Sequence, residues 1–133
     1  MRLDHVGIVV DDLEAAKLFV SGVLGLEMTN EVAIAPAKMK AAYFQCGEAE
    51  VELLELGDPE ARQARLGAGV QANIEHLAIE VDALESVISD LNARGVGTTN
   101  PQPVLGGLGA WTDPATSNGI RFQLIQKNHA GAR

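Results

Sequence analysis

Four side chains in this sequence have the makings of a metal centre, and they come in two pairs. His5 and His76 stand 71 residues apart, and Glu52 and Gln123 repeat the same offset. Two neutral imidazoles, one carboxylate and one amide oxygen form an intermediate nitrogen and oxygen donor set. Such a set suits Zn, Co, Ni or Mn and leaves positions open for water or a substrate. Glu52 is also the candidate catalytic base, because it is the only carboxylate of the set; the amide of Gln123 cannot take a proton near neutral pH. A lone His or a mid-strand Glu is often just a satisfied polar residue. Four metal-capable side chains at one shared offset argue for a common site.

The offset belongs to an internal duplication that must position these residues. Residues 4 to 14 (DHVGIVVDDLE) align with residues 75 to 85 (EHLAIEVDALE), and Val51-Glu52-Leu53-Leu54 aligns with Phe122-Gln123-Leu124-Ile125. Each half opens with a β-branched, alternating run, at 2 to 10 and 73 to 81, which is a strand signal. A helix follows in each half. Asp11 with Glu14, and Asp82 with Glu85, have the spacing of an N-cap and its capping-box partner. Leu13, Ala16, Val20 and Val23, then Leu84, Val87, Ile88 and Leu91, recur at helical spacing and should cover a sheet. Gly25 and Gly95 stop the two helices in equivalent places. Three shorter strands complete each half, at 26 to 34, 39 to 46 and 49 to 56, then at 96 to 104, 108 to 113 and 119 to 126. The fold expected is α+β, two tandem βαβββ modules in a single domain. Module one spans about 1–57, a polar, Gly/Pro-punctuated connection 58–71, module two about 72–127, and a tail 128–133.

Period-2 geometry assigns the faces of the strands. Val6, Ile8 and Val10, or Leu77, Ile79 and Val81, lie under the helix. His5 with Gly7, and His76 with Ala78, lie opposite, where the small neighbours leave room. Glu52 and Gln123 point the same way, with Glu50 and Arg121.

Composition narrows the partners. The chain has 133 residues with a net charge of −8, which disfavours nucleic acid as the main partner. No apolar run reaches the length that spans a bilayer. Cys46 is the one cysteine, no leader pattern precedes His5, and a reduced, cytoplasmic protein is expected.

The opening His5-Val6-Gly7-Ile8-Val9-Val10-Asp11-Asp12-Leu13, the Val51-Glu52-Leu53-Leu54-Glu55 close, the Glu75-His76-Leu77-Ala78-Ile79-Glu80-Val81-Asp82 stretch and the Trp111-Thr112-Asp113-Pro114…Asn118-Gly119…Gln123-Leu124 ending resemble the vicinal oxygen chelate superfamily. That superfamily includes glyoxalases, bleomycin resistance proteins and dioxygenases, and the similarity is greatest to its methylmalonyl-CoA epimerase branch. The resemblance implies curved sheets around a cleft, one divalent metal held by His5, Glu52, His76 and Gln123, and a homodimer. It further implies a small-molecule substrate that presents neighbouring oxygens, with a CoA thioester among the candidates. The activity implied is proton abstraction next to a carbonyl; a glyoxalase-type lyase or a non-catalytic binding protein are the alternatives. Relatives in the epimerase branch typically carry the amide in the first module and the acid in the second, so the two look exchanged here. A second epimerase acid would align with Pro36, and Glu31 lies five residues upstream.

Weaker signals are read more simply. Gly106-Gly107-Leu108-Gly109 is expected to be a turn beside the cleft, and Cys46 a small buried apolar residue. Lys38, Lys40, Arg121 and Lys127 are basic residues that either approach an anionic carrier or lie on solvated strand edges. Trp111 is core or cleft wall, and His129 lies in the tail.

Overall fold

The computed structural model describes residues 1–34 and 38–128; Pro36 and His129 lie outside them. Each half of the chain has the βαβββ order. The first comprises β1 (Arg2–Val10), α1 (Leu13–Lys17) running into a π-helical segment (Leu18–Val23), β2 (Met28–Ile34), β3 (Met39–Cys46) and β4 (Ala49–Glu55). After α2 (Pro59–Leu66) the second comprises β5 (Ala72–Glu80), α3 (Leu84–Ala93), β6 (Gln102–Val104), β7 (Gly107–Trp111) and β8 (Phe122–Lys127). In the first half the strand order is β2-β3-β4-β1, with β1 parallel to β4 and the remaining pairs antiparallel. The second half repeats it as β6-β7-β8-β5, with β5 parallel to β8. By packing, the chain divides into two compact units, one of His5–Glu75 and the other of Met1–Asp4 with His76–Arg133.

In the unit His5–Glu75, α1 and the π-helical segment lie on one face of the strands. Val10, Leu13, Val20, Ala42, Phe44 and Leu53 make its core, with Phe44 fully buried. On the other face a second cluster joins Val9, Ala41, Leu54 and Leu66. Leu66 comes from α2, a helix within the stretch expected to be only a polar connection. It forms because Asp58 caps it by accepting from the Ala61 N–H at 3.3 Å and Pro59 supplies a preset first turn. In the other unit α3 packs Leu84, Val87, Ile88 and Leu91 over Val81, Ala110 and Leu124. Each such buried Leu or Val contributes on the order of 1.5–3 kcal/mol.

The helix starts differ from the capping boxes expected at Asp11/Glu14 and Asp82/Glu85. Asp12, not Asp11, caps α1, by accepting from the Ala15 N–H at 3.1 Å, and Ala83 precedes α3 with no side-chain cap of its own. A second cap comes from the far end of the module. Glu55 Oε1 accepts from the Leu13 N–H at 3.2 Å, and Gln126 Oε1 from the Leu84 N–H at 2.8 Å. Both pairs obey the 71-residue offset.

Other expectations change too. The wider π turn breaks the 3.6-residue register, so Val23, expected to cover the sheet, is 72% exposed and Leu18 is 74% exposed. Gly25 and Gly95 do end the helices in the left-handed region, with φ of 81° and 87°. The glycine run is part turn and part strand: Gly106, with φ of 84°, lies in the hairpin turn, whereas Gly107 to Gly109 belong to β7, and a Cβ on Gly107 would fall 2.0 Å from the Gln126 carbonyl oxygen. Cys46 ends β3 at its hairpin and is exposed rather than buried. The strand expected at 96 to 104 is reduced to β6, preceded by an isolated bridge between Thr98 and Thr112. Among the described residues, no helix is long and apolar enough to cross a membrane.

Candidate metal centre

Strand register puts the four candidate ligands where the alternation placed them. In the unit His5–Glu75, Gly7 stands opposite Glu52 on one side and Tyr43 on the other. The missing side chain at Gly7 and the ring at Tyr43 therefore flank the same carboxylate. His5 and Glu52 are both buried, at 6% and 8% exposure, with His5 Nε2 3.4 Å from Glu52 Oε1. That separation is longer than a good N–H···O hydrogen bond. The second carboxylate oxygen, Oε2, accepts from the Tyr43 hydroxyl at 2.7 Å. A buried carboxylate must be partnered to stay ionised at modest cost, and this one is held by a donor that leaves the oxygen nearer His5 beside an imidazole nitrogen.

The second unit repeats the plan. Ala78 stands opposite Gln123 on one side and Trp111 on the other. His76 and Gln123 are buried, at 5% and 8% exposure. In both units an aromatic meets the histidine edge to face: Tyr43 against His5 at 6.1 Å between ring centres, and Trp111 against His76 at 4.9 Å. Trp111 is thus placed beside a candidate ligand. Tyr43 escaped the sequence reading, although its parity with Ala41 along β3 and its place opposite Glu52 were the signal that would have found it.

Several charged residues are placed elsewhere. Glu31 sits opposite Ala42, on the face covered by α1, where it pairs with Lys17. It therefore lies on the face opposite that of His5 and Glu52. Glu14 first and Glu31 second hold the Lys17 ammonium above its usual pKa. Glu80 shares a face with His76 and Ala78, is 7% exposed, and is paired with Arg2 at 3.0 Å. Lys127 pairs with Asp4.

The donor set passes a chemical test for a divalent metal. Within one unit an imidazole nitrogen and a carboxylate oxygen are buried side by side, and within the other an imidazole and an amide are buried on the corresponding strands. These are the ligand types that bind Zn, Co, Ni or Mn.

Comparison with known proteins adds a family. A model of the Glyoxalase/Bleomycin resistance protein/Dioxygenase superfamily matches residues 2–124. The chain is 26% identical over 132 residues to human mitochondrial methylmalonyl-CoA epimerase, covering 94% of this chain and 73% of the human protein. The crystal structure of methylmalonyl-CoA epimerase from Mycobacterium tuberculosis superimposes with a TM-score of 0.86 at 22% identity, covering 98% of this chain and 91% of that one. A methylmalonyl-CoA epimerase in complex with methylmalonyl-CoA and NH4+ superimposes with a TM-score of 0.82 at 20% identity, covering 95% and 94%.

Proposed function

The chain belongs to the glyoxalase/bleomycin resistance/dioxygenase superfamily, and from that premise we propose that it is a divalent-metal-dependent isomerase of the methylmalonyl-CoA epimerase type. His5, Glu52, His76 and Gln123 are the residues that would hold the metal. When bound, the metal would supply Lewis acidity, polarising a substrate carbonyl and offsetting the negative charge that an enolate carries. The observation that carries the reading is the buried Glu52 carboxylate, steadied by the Tyr43 hydroxyl and set beside His5.

In this mechanism a substrate C–H bond next to the carbonyl breaks, its electron pair moves onto the carbonyl oxygen, and the proton is carried on a Glu52 oxygen. Return of that proton to the face it left restores the starting isomer, whereas a proton drawn from solvent onto the opposite face of the planar enolate re-forms the C–H bond with inverted configuration. Tyr43 keeps the carboxylate oriented while Gln123, an amide, leaves the proton transfer to Glu52. The relatives named as methylmalonyl-CoA epimerases, and the relative solved with methylmalonyl-CoA, support a CoA thioester as the substrate class.

The test is solvent-deuterium uptake into methylmalonyl-CoA by protein loaded with cobalt or zinc. Wild type should exchange the α-proton, and Glu52→Gln should abolish exchange while retaining metal by elemental analysis. Exchange that survives in Glu52→Gln removes Glu52 as the base. Uptake confined to the methylglyoxal–glutathione hemithioacetal would identify a glyoxalase-type lyase. A folded, metal-free protein that exchanges neither substrate would identify a binding protein.

A further inference from the structure

The helices that follow β1 and β5 hold the same place in the two halves, yet they differ in what they turn to solvent. On α3 Asp90 and Arg94 are exposed and pair with each other at 3.2 Å, with Ser89 and Asn92 exposed beside them. That is an ordinary solvated helix face. The first helix is one residue longer: Gly25 follows the cap Asp12 by 13 positions, whereas Gly95 follows Ala83 by 12. The π-helical segment takes up the extra residue. Within it the Leu24 N–H donates to the Phe19 carbonyl, five residues back, at 3.0 Å, which sets Leu24 over Phe19 on one side of the helix. With the extra residue allowed for, Phe19 and Leu24 stand where α3 has Asp90 and Arg94. They are 53% and 59% exposed, between Leu18 at 74% and Val23 at 72%. Beside this stripe Leu18, Ser21, Gly22 and Met28, itself 45% exposed, wall a groove of about 430 Å³ floored by Phe44.

We propose that the π-helical segment is a self-association face, on which Phe19 and Leu24 of one copy of this chain seat in the groove between Leu18 and Met28 of a second copy. The one-residue insertion is what builds this face, because it swings Val23 and Leu24 off the sheet at the point where α3 stays polar. The size of the patch fits a second copy. At roughly 150 Å² for each large side chain fully covered, Leu18, Phe19, Val23, Leu24 and Met28 leave on the order of 450 Å² of apolar surface open. Two such patches face to face cover about 900 Å², and the rim around them carries the total past the roughly 1,000 Å² that a specific interface needs. A projecting stripe and a groove lie side by side on the same unit, so a twofold axis between two copies satisfies both at once. An anionic lipid surface fits poorly, since Glu14 lines the groove and the one cation there, Lys17, is already held by Glu14 and Glu31. The face lies across the sheet from His5 and Glu52, so the contact does not depend on the isomerase reading.

Analytical ultracentrifugation of the full chain provides the test. Wild type should sediment at twice the 14.0 kDa of one chain with a micromolar or tighter dissociation constant. Phe19→Asp combined with Leu24→Arg copies the solvated pair of α3 onto the first helix, and it should weaken the dimer at least a hundredfold, as loss of a central apolar anchor does. Val23→Glu alone should weaken it about tenfold or more. A dimer that survives both variants unchanged is held elsewhere and overturns the proposal. Dilution of wild type through its dissociation constant, followed by deuterium exchange, checks the face without any variant having to fold: uptake should rise in residues 18–28, and a rise confined to other segments overturns the proposal. Wild type that stays monomeric at about 100 μM also overturns it. If that monomer then takes up one anilinonaphthalenesulfonate per chain, a small apolar ligand, rather than a second copy, is the occupant of the groove.

Discussion

Gln126 is the most direct handle on how the second module holds its helix. Its Oε1 accepts from the Leu84 N–H at 2.8 Å, Leu84 is 1% exposed, and Ala83 offers no side-chain cap in its place. Replacing Gln126 by Met keeps the length of the side chain and removes the acceptor, leaving a shielded N–H without its partner. Loss of a cap costs about 0.5–2 kcal/mol and an unsatisfied buried donor about 1–3 kcal/mol, and these describe one and the same bond, so about 1.5 kcal/mol is expected. In urea, at a slope near 1.5 kcal/mol/M, that lowers the midpoint by about 1 M, and it lowers the melting temperature by about 5 °C. Gln126→Glu keeps an oxygen in place and adds a negative charge at a helix N-terminus, so it should match or exceed wild type by about 0.3–1 kcal/mol. Exchange of the Leu84 amide with solvent deuterium, followed by NMR, should accelerate in Gln126→Met and not in Gln126→Glu. A Gln126→Met protein within about 0.3 kcal/mol of wild type would show that the cap contributes nothing. A Gln126→Glu protein as unstable as Gln126→Met would show that packing of the amide, rather than its acceptor oxygen, matters.

Tyr43→Phe removes the donor 2.7 Å from a buried Glu52 oxygen, and should destabilise the metal-free protein by about 1.5–3 kcal/mol in urea unfolding at neutral pH. A loss no larger than that of an exposed Tyr would refute the contact. Gly107→Ala would place a Cβ 2.0 Å from a backbone oxygen of β8, and a loss of about 3 kcal/mol is expected by the same assay. Gly22→Ala, with nothing within 4 Å of the added carbon, should be neutral or stabilising by up to about 1 kcal/mol.

What could be read from the sequence was whatever depends on periodicity and duplication. The faces of β1, β4, β5 and β8 follow from alternation, and the register of Glu52 beside Gly7 and Gln123 beside Ala78 bears this out. Features set by distant partners were less legible. Asp11 and Asp82 have N-cap spacing, yet the N–H groups of Leu13 and Leu84 are taken by Glu55 and Gln126, 42 residues away; no local pattern encodes such a bond. The π-helical segment offers the same apolar residues as an α-helix, and only the packed structure shows Val20 kept on the core while Val23 leaves it. The glycines of β7 look like a turn because closeness to the Gln126 carbonyl, rather than φ, is what demands Gly107. Tyr43 was missed because a single ring in an apolar strand reads as core until its hydroxyl is traced to Glu52.

The first residues of β1 carry a consequence for the order in which the protein takes shape. Met1–Asp4 pack with the stretch that begins at His76 rather than with the residues that directly follow them. Arg2 finds its carboxylate on Glu80, and Asp4 its ammonium on Lys127, the last residue of β8. On a translating ribosome Asp4 is made long before Lys127, roughly ten seconds earlier at ordinary elongation rates. Glu80, the carboxylate for Arg2, is made partway through that interval, while the ammonium of Lys127 reaches Asp4 only at its end. The ion pair that ties Asp4 to the end of β8 is therefore among the last contacts to form, although His5, the next residue, already stands in register with Glu50 on β4.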